Sequence, residues 1–149
     1  MRNYLNRNKA QDKSAAATVP PKKLKIGDKA ADGWIYAGKS PDTHKPMFVA
    51  PEDAGVMSFV DASTKAFKAE KKAKSEIRLP SERELNRIFN CKAKIGGFNE
   101  NPNEWPEAWY FTSTYCGPFH DCVRLQDFSS GKRDVGSWNN RRNVRLVRS

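Results

Sequence analysis

Metal-binding and catalytic side chains are scarce in this chain. Among 149 residues there are two histidines, His44 and His120, and three cysteines, Cys91, Cys116 and Cys122. The cysteines form no C-x-x-C pair, and a four-ligand zinc site would have to draw on nearly all five side chains, so no metal is expected. An ordered Ser/His/Asp set, a paired-carboxylate motif and a Gly-rich phosphate loop are all missing, so neither catalysis nor a cofactor is expected. No apolar run approaches the ~20 residues that span a bilayer. The basic first 27 residues lack the continuous apolar stretch of a secretory signal, so neither export by a leader nor membrane insertion is expected. The odd cysteine count fits free thiols made in a reducing cytosol, with a Cys116–Cys122 disulfide across a short loop as the oxidised alternative.

Charge is present in excess but unevenly placed. The net charge is +10, from 27 Lys and Arg against 17 Asp and Glu. Residues 1–29 carry eight basic and two acidic side chains, and residues 132–148 carry six and one, which leaves the rest at −1. Nucleic-acid-binding domains build a basic face into the fold, whereas here the charge sits at the two ends, so nucleic acid is not the expected partner. A basic end suits docking on an acidic protein surface. Residues 14–21 are small and end in two prolines, and residues 22–29 have only Leu24 and Ile26 as apolar side chains. Such a segment cannot bury enough surface to offset its ordering entropy. Residues 1–29 are therefore read as an extended anchoring arm, with Arg2, Tyr4, Leu5, Arg7, Lys22, Lys23 and Lys25 as its contacts. Residues 30–149 are read as one domain.

Local patterns supply its elements. Residues 34–37 and 46–50 are β-type runs around the turn formers Ser40, Pro41 and Asp42, which predicts a hairpin with His44 in a solvated loop. Phe59, Ala62, Ala66, Ala69 and Ala73 recur at helical steps over 58–74, and the lysines fall on the opposite face. Pro80, Ser81 and Glu84 spell a capping box for a second helix with Leu85, Ile88 and Phe89 inward. Gly96 and Gly97 end that region. Further on, Trp105, Trp109 and Tyr110 read as core. Residues 122–128 alternate as a strand, 129–131 as a turn and 143–148 as a last strand. Helices first and antiparallel hairpins later predict an α+β domain.

The order of these motifs resembles a known family. Arg78-Leu79-Pro80-Ser81-Glu82-Arg83-Glu84-Leu85, Ile95-Gly96-Gly97-Phe98-Asn99, Trp109-Tyr110-Phe111-Thr112-Ser113-Thr114 and Val144-Arg145-Leu146-Val147-Arg148 occur in sequence. They are similar to a bacterial and phage domain family of uncharacterised function, typified by the C-terminal domain of a collagen-like bacterial adhesin, over residues 33–149. The resemblance implies a C-type-lectin-like fold: two helices beside a small twisted antiparallel sheet with long loops. It also implies an adhesin, surface or phage structural role. Formylglycine-generating enzymes share the fold and a similar helix start, but the surroundings of Cys116 and Cys122 do not reproduce their copper-binding cysteine motif. Asn101-Pro102-Asn103-Glu104 and Trp138-Asn139-Asn140 resemble calcium-lectin loops, yet Arg141 and Arg142 beside them would repel the ion.

The expected contact surface is Trp138, Asn139, Asn140, Arg141 and Arg142, since Trp and Arg make effective anchors and Asn supplies adaptable hydrogen bonds. For Trp138 a core position is the equal alternative. The expectation is a non-enzymatic phage virion accessory protein on a capsid, collar or tail. It would be assembled in the host cytoplasm, anchored to other virion subunits by its arm, and able to meet a surface glycan or protein receptor. A free adhesion module, or a cytoplasmic protein, is the alternative.

Overall fold

The computed structural model describes residues 23–118 and 121–149. Arg2, Tyr4, Leu5, Arg7 and Lys22, expected as arm contacts, lie outside the described residues. Lys23 and Lys25 are exposed. From there the chain soon joins the body: the Gly27 N–H donates to the Tyr36 carbonyl at 2.8 Å, and Lys29 bridges to Ile35.

The predicted hairpin forms as β1 (Ile35–Lys39) and β2 (Pro46–Val49), paired antiparallel. A short β3 (Gly55–Met57) leads into α1 (Phe59–Ala73), whose N-cap Ser58 accepts from the Asp61 N–H at 3.2 Å. Its buried face is Phe59, Ala62 and Ala66, as the spacing requires, while Val60 and Phe67 stay exposed. After β4 (Ile77–Arg78) comes α2 (Glu82–Asn90), and α3 (Lys92–Ile95) follows directly. The capping box is complete: Ser81 Oγ accepts from the Glu84 N–H, and Glu84 Oε1 accepts from the Ser81 N–H at 2.9 Å.

The second half supplies β5 (Trp109–Tyr115), β6 (Cys122–Asp127) and β7 (Arg133–Ser137) as a meander. The last segment departs from expectation. Residues 143–148 are not one strand: β8 (Arg142–Val144) and β9 (Val147–Arg148) belong to different sheets, and Arg145-Leu146 crosses between them. One sheet has the order β1-β2-β9-β4, all antiparallel, and the other β3-β8-β5-β6-β7. Within the second, β8 meets β5 in parallel at Tyr110 and Asn143. The fold is thus α+β, with two sheets in place of the single antiparallel one expected.

Two cores form, each around one of the longer helices and each drawing on strands of both sheets. Leu85 and Ile88 of α2 pack with Ile35, Met47, Val49, Tyr110, Phe128 and Val147. Phe59, Ala62 and Ala66 of α1 pack with Phe111, Val123, Leu125, Val144 and Leu146. Val144 and Val147 fall in different cores, which is the packing reason for the break between β8 and β9. Trp105, expected in the core, is 64% exposed, because it lies in the loop before β5 where no element covers it.

Candidate functional site

Two buried polar clusters hold the scaffold. Arg145, fully buried at the crossing, has its Nη1 3.1 Å from Asp53 Oδ1, and its Nε donates to the Ala50 carbonyl at 2.7 Å. Its Nη2 donates to the carbonyls of Pro51 and Gly96. Gly97, at φ +78°, passes so close that a Cβ there would lie 3.2 Å from Arg145 Nη1. Asp53 Oδ2 also accepts from the Tyr110 hydroxyl at 2.6 Å and from Asn143 Nδ2 at 3.1 Å. Burial lifts the Asp53 carboxyl above the ordinary aspartate range, against the pull of Tyr110, Arg145 and Asn143. Burial and the Asp53 carboxylate together push the Tyr110 phenol far up.

The second cluster centres on Glu84. Arg78 grips it bidentately, Nη1 to Oε1 at 2.6 Å and Nη2 to Oε2 at 2.9 Å, and the Ser40 hydroxyl donates to Oε2 at 2.8 Å. Burial alone would raise the Glu84 pKa, but the Arg78 fork, the Ser81 N–H and Ser40 outweigh it and hold the carboxyl below its usual value. In both clusters the polar atoms are spent on internal bonds, and the product is rigidity.

The expected contact residues divide. Trp138, Asn139 and Asn140 lie on the turn between β7 and β8, Trp138 39% exposed and both asparagines exposed. The turn is fastened at both ends: the Asn140 N–H donates to the Ser137 carbonyl, and the Phe59 N–H of α1 donates to the Trp138 carbonyl at 3.0 Å. Arg141 is exposed but hooks back, its Nη2 donating to the Val56 carbonyl at 2.9 Å. Arg142 is a correction. It is only 8% exposed, because the Trp105 ring lies over its guanidinium.

Arg142 is nonetheless tied to the surface. Its guanidinium lies 4.6 Å from the Trp105 ring centroid, and Nη1 donates to the Arg141 carbonyl at 2.7 Å. Its buried Nε has no hydrogen-bond partner among the described residues. Burial lowers its pKa. Around the pair, Trp109, Leu125, Asp134 and Val135 line a depression of about 50 Å³, too small to admit more than a water-sized group, so a ligand would rest on Trp105 instead of entering. Sequence reasoning missed this platform because it assigned Trp105 to the core. Its one legible signal was the polar run 99–104 immediately before that tryptophan.

The cysteines pair as their spacing allowed. Cys116 and Cys122 form a disulfide with Cα atoms 5.4 Å apart, and the Cys116 N–H donates to the Cys122 carbonyl. Cys91 is free and half-buried, and burial pushes its thiol up, which makes it a poor nucleophile. Among the described residues no group of three or more His, Cys, Asp or Glu side chains is placed to share a metal ion. No described helix is long and apolar enough to cross a membrane. A second depression, of about 300 Å³, runs between α1 and the β4–β5 region, lined by Phe59, Phe67, Ile77, Leu79 and Tyr115.

Comparison with protein-family models and with curated proteins returned no match. The class is therefore defined by architecture and surface alone: an α+β domain with two apolar cores, two buried polar clusters and an exposed tryptophan stacked on a buried arginine.

Proposed function

We propose that this chain is a non-enzymatic binding subunit on a C-type-lectin-like scaffold, acting as an accessory protein of a phage virion. It meets a surface glycan through its exposed tryptophans and is anchored to other virion subunits by its basic first residues. The observation that carries the reading is the stacking of exposed Trp105 on buried Arg142. A flat aromatic face backed by a fixed cation suits the apolar face of a sugar ring with its hydroxyl or carboxylate oxygens beside it. Trp138, Asn139 and Asn140, on their own fastened turn, add an aromatic side chain and two adaptable amides. The order of motifs from Arg78 to Arg148 supports the scaffold assignment, and the charge of +6 on residues 1–29 supports the anchor.

Two variants test the binding surface. On a glycan array, Trp105→Ala and Trp138→Ala are each expected to weaken capture about tenfold, as loss of an aromatic anchor does. Full capture by both variants, or by neither they nor the parent chain, overturns the assignment. For the anchor, deletion should stop at residue 22, since Gly27 and Lys29 pair with β1. The truncated chain is expected to fold and capture its ligand but fail to join particles. Undiminished incorporation would favour a free adhesion module.

A further inference from the structure

A third cleft, remote in chemistry from the tryptophan platform, lies between α2, the β1–β2 loop and the start of β7. It encloses about 290 Å³ and is lined by Pro41, Arg83, Asn86, Arg87, Asn90 and Arg133. Four of these residues follow the helical stripe i, i+3, i+4, i+7 on α2, opposite the buried Leu85 and Ile88. The stripe carries donors where a solvated helix face usually mixes charge signs.

The acidic neighbours neutralise it only in part. Asp42 Oδ1 accepts from Arg83 Nη1 at 3.2 Å, and Glu82 lies 3.7 Å from Arg133 and 4.0 Å from Arg124. Arg87 has no carboxylate or hydrogen-bond partner for its guanidinium among the described residues. It lies exposed against the backbone of β1. Gly38, at φ +88° in β1, leaves the space the guanidinium fills: a Cβ there would lie 2.8 Å from Arg87 Nη2 and 3.0 Å from Nε. Asn86 spends its Oδ1 on Gln126 Nε2 at 3.0 Å, which leaves its amide N–H groups to donate. The cleft therefore offers guanidinium and amide donors around one uncommitted cation.

We propose that this cleft binds an oxyanion, a phosphate or sulfate monoester group, with Arg87 as its principal anchor. Guanidinium forks match tetrahedral oxyanions bidentately, and side-chain amides complete the donor set. The volume exceeds one such group, so the cleft has room for part of the molecule that carries it. The lining holds no aromatic ring on which a base could stack, which sets an isolated anionic group above single-stranded nucleic acid.

The test is titration of the full chain at fixed ionic strength with inorganic phosphate, inorganic sulfate, glucose 6-phosphate and a single-stranded oligonucleotide, read by NMR of arginine Nε–H resonances. Saturable shifts of Arg87 and Arg133 are expected. Arg87→Gln should weaken binding about tenfold, the loss of one charge-assisted contact, while Lys68→Gln on the exposed face of α1 should leave it unchanged. Should Arg87→Gln fail to fold, Arg133→Gln serves the same comparison. Tighter binding of glucose 6-phosphate than of phosphate marks a sugar ester as the source, and equal binding marks the free anion. Non-saturating shifts, equal weakening by Lys68→Gln, or preference for an oligonucleotide would overturn the proposal.

Discussion

Arg145 is the residue on which most of the interior depends. It is fully buried, and its partners come from the segment after β2, the glycine pair after α3 and Asp53. Replacing it with methionine would leave Asp53 with Tyr110 and Asn143 but no cation. Removing one partner of a buried ion pair typically costs about 3–5 kcal/mol. Arg145→Met is therefore expected to lower stability in urea by about that much, and a loss below about 1 kcal/mol would show the pair to be incidental. Glu84 gives the opposite lever. Its folded pKa is depressed, so its contribution is complete above the ordinary glutamate range and disappears as pH falls through the lowered value. Asp53, whose pKa is raised, works in reverse: protonation in acid relieves it. Glu84→Gln should thus cost about 3 kcal/mol at pH 7, and the gap to the parent chain should narrow as pH falls below the ordinary glutamate range in paired urea melts. A gap independent of pH would mean that shape, and not charge, is what Glu84 contributes.

At the scale of elements, α2 is the best-specified segment and the clearest in the sequence. Pro80, Ser81 and Glu84 announced its start, and the structure adds that Glu84 also reaches Arg78 and Ser40. Ser81 bonds Asp42 through its hydroxyl as well as capping the helix. Ser81→Ala is expected to lower stability by about 1 kcal/mol, checked by thermal melting. The hairpin, both helices and the alternation of β6 were legible because each is written in local periodicity. The burial of Arg142 and the exposure of Trp105 were not. Both depend on how the loop before β5 lies over β8, which brings Trp105 onto Arg142 from 37 positions away and leaves no local trace in the sequence. The polar stripe on α2 was not read from the sequence, because its meaning depends on Gly38, which is 49 positions before Arg87.

At the scale of the whole molecule, two helix–sheet cores meet at the crossing from β8 to β9. The apolar letters of Val144, Leu146 and Val147 were read as one strand because a crossing and a strand look alike over six residues. Only the assignment of Val144 and Val147 to separate cores distinguishes them. A shared segment couples the two cores energetically. Unfolding should be a single transition, with near-ultraviolet signals from the tryptophans and far-ultraviolet signals from the helices superimposing. Two separated transitions would show that the cores are independent. The same crossing completes both sheets. β9 is the strand that joins β2 to β4, and β8 the one that joins β3 to β5, so until residues 142–148 are in place each sheet stays in two pieces and the apolar sides of the helices are incompletely covered.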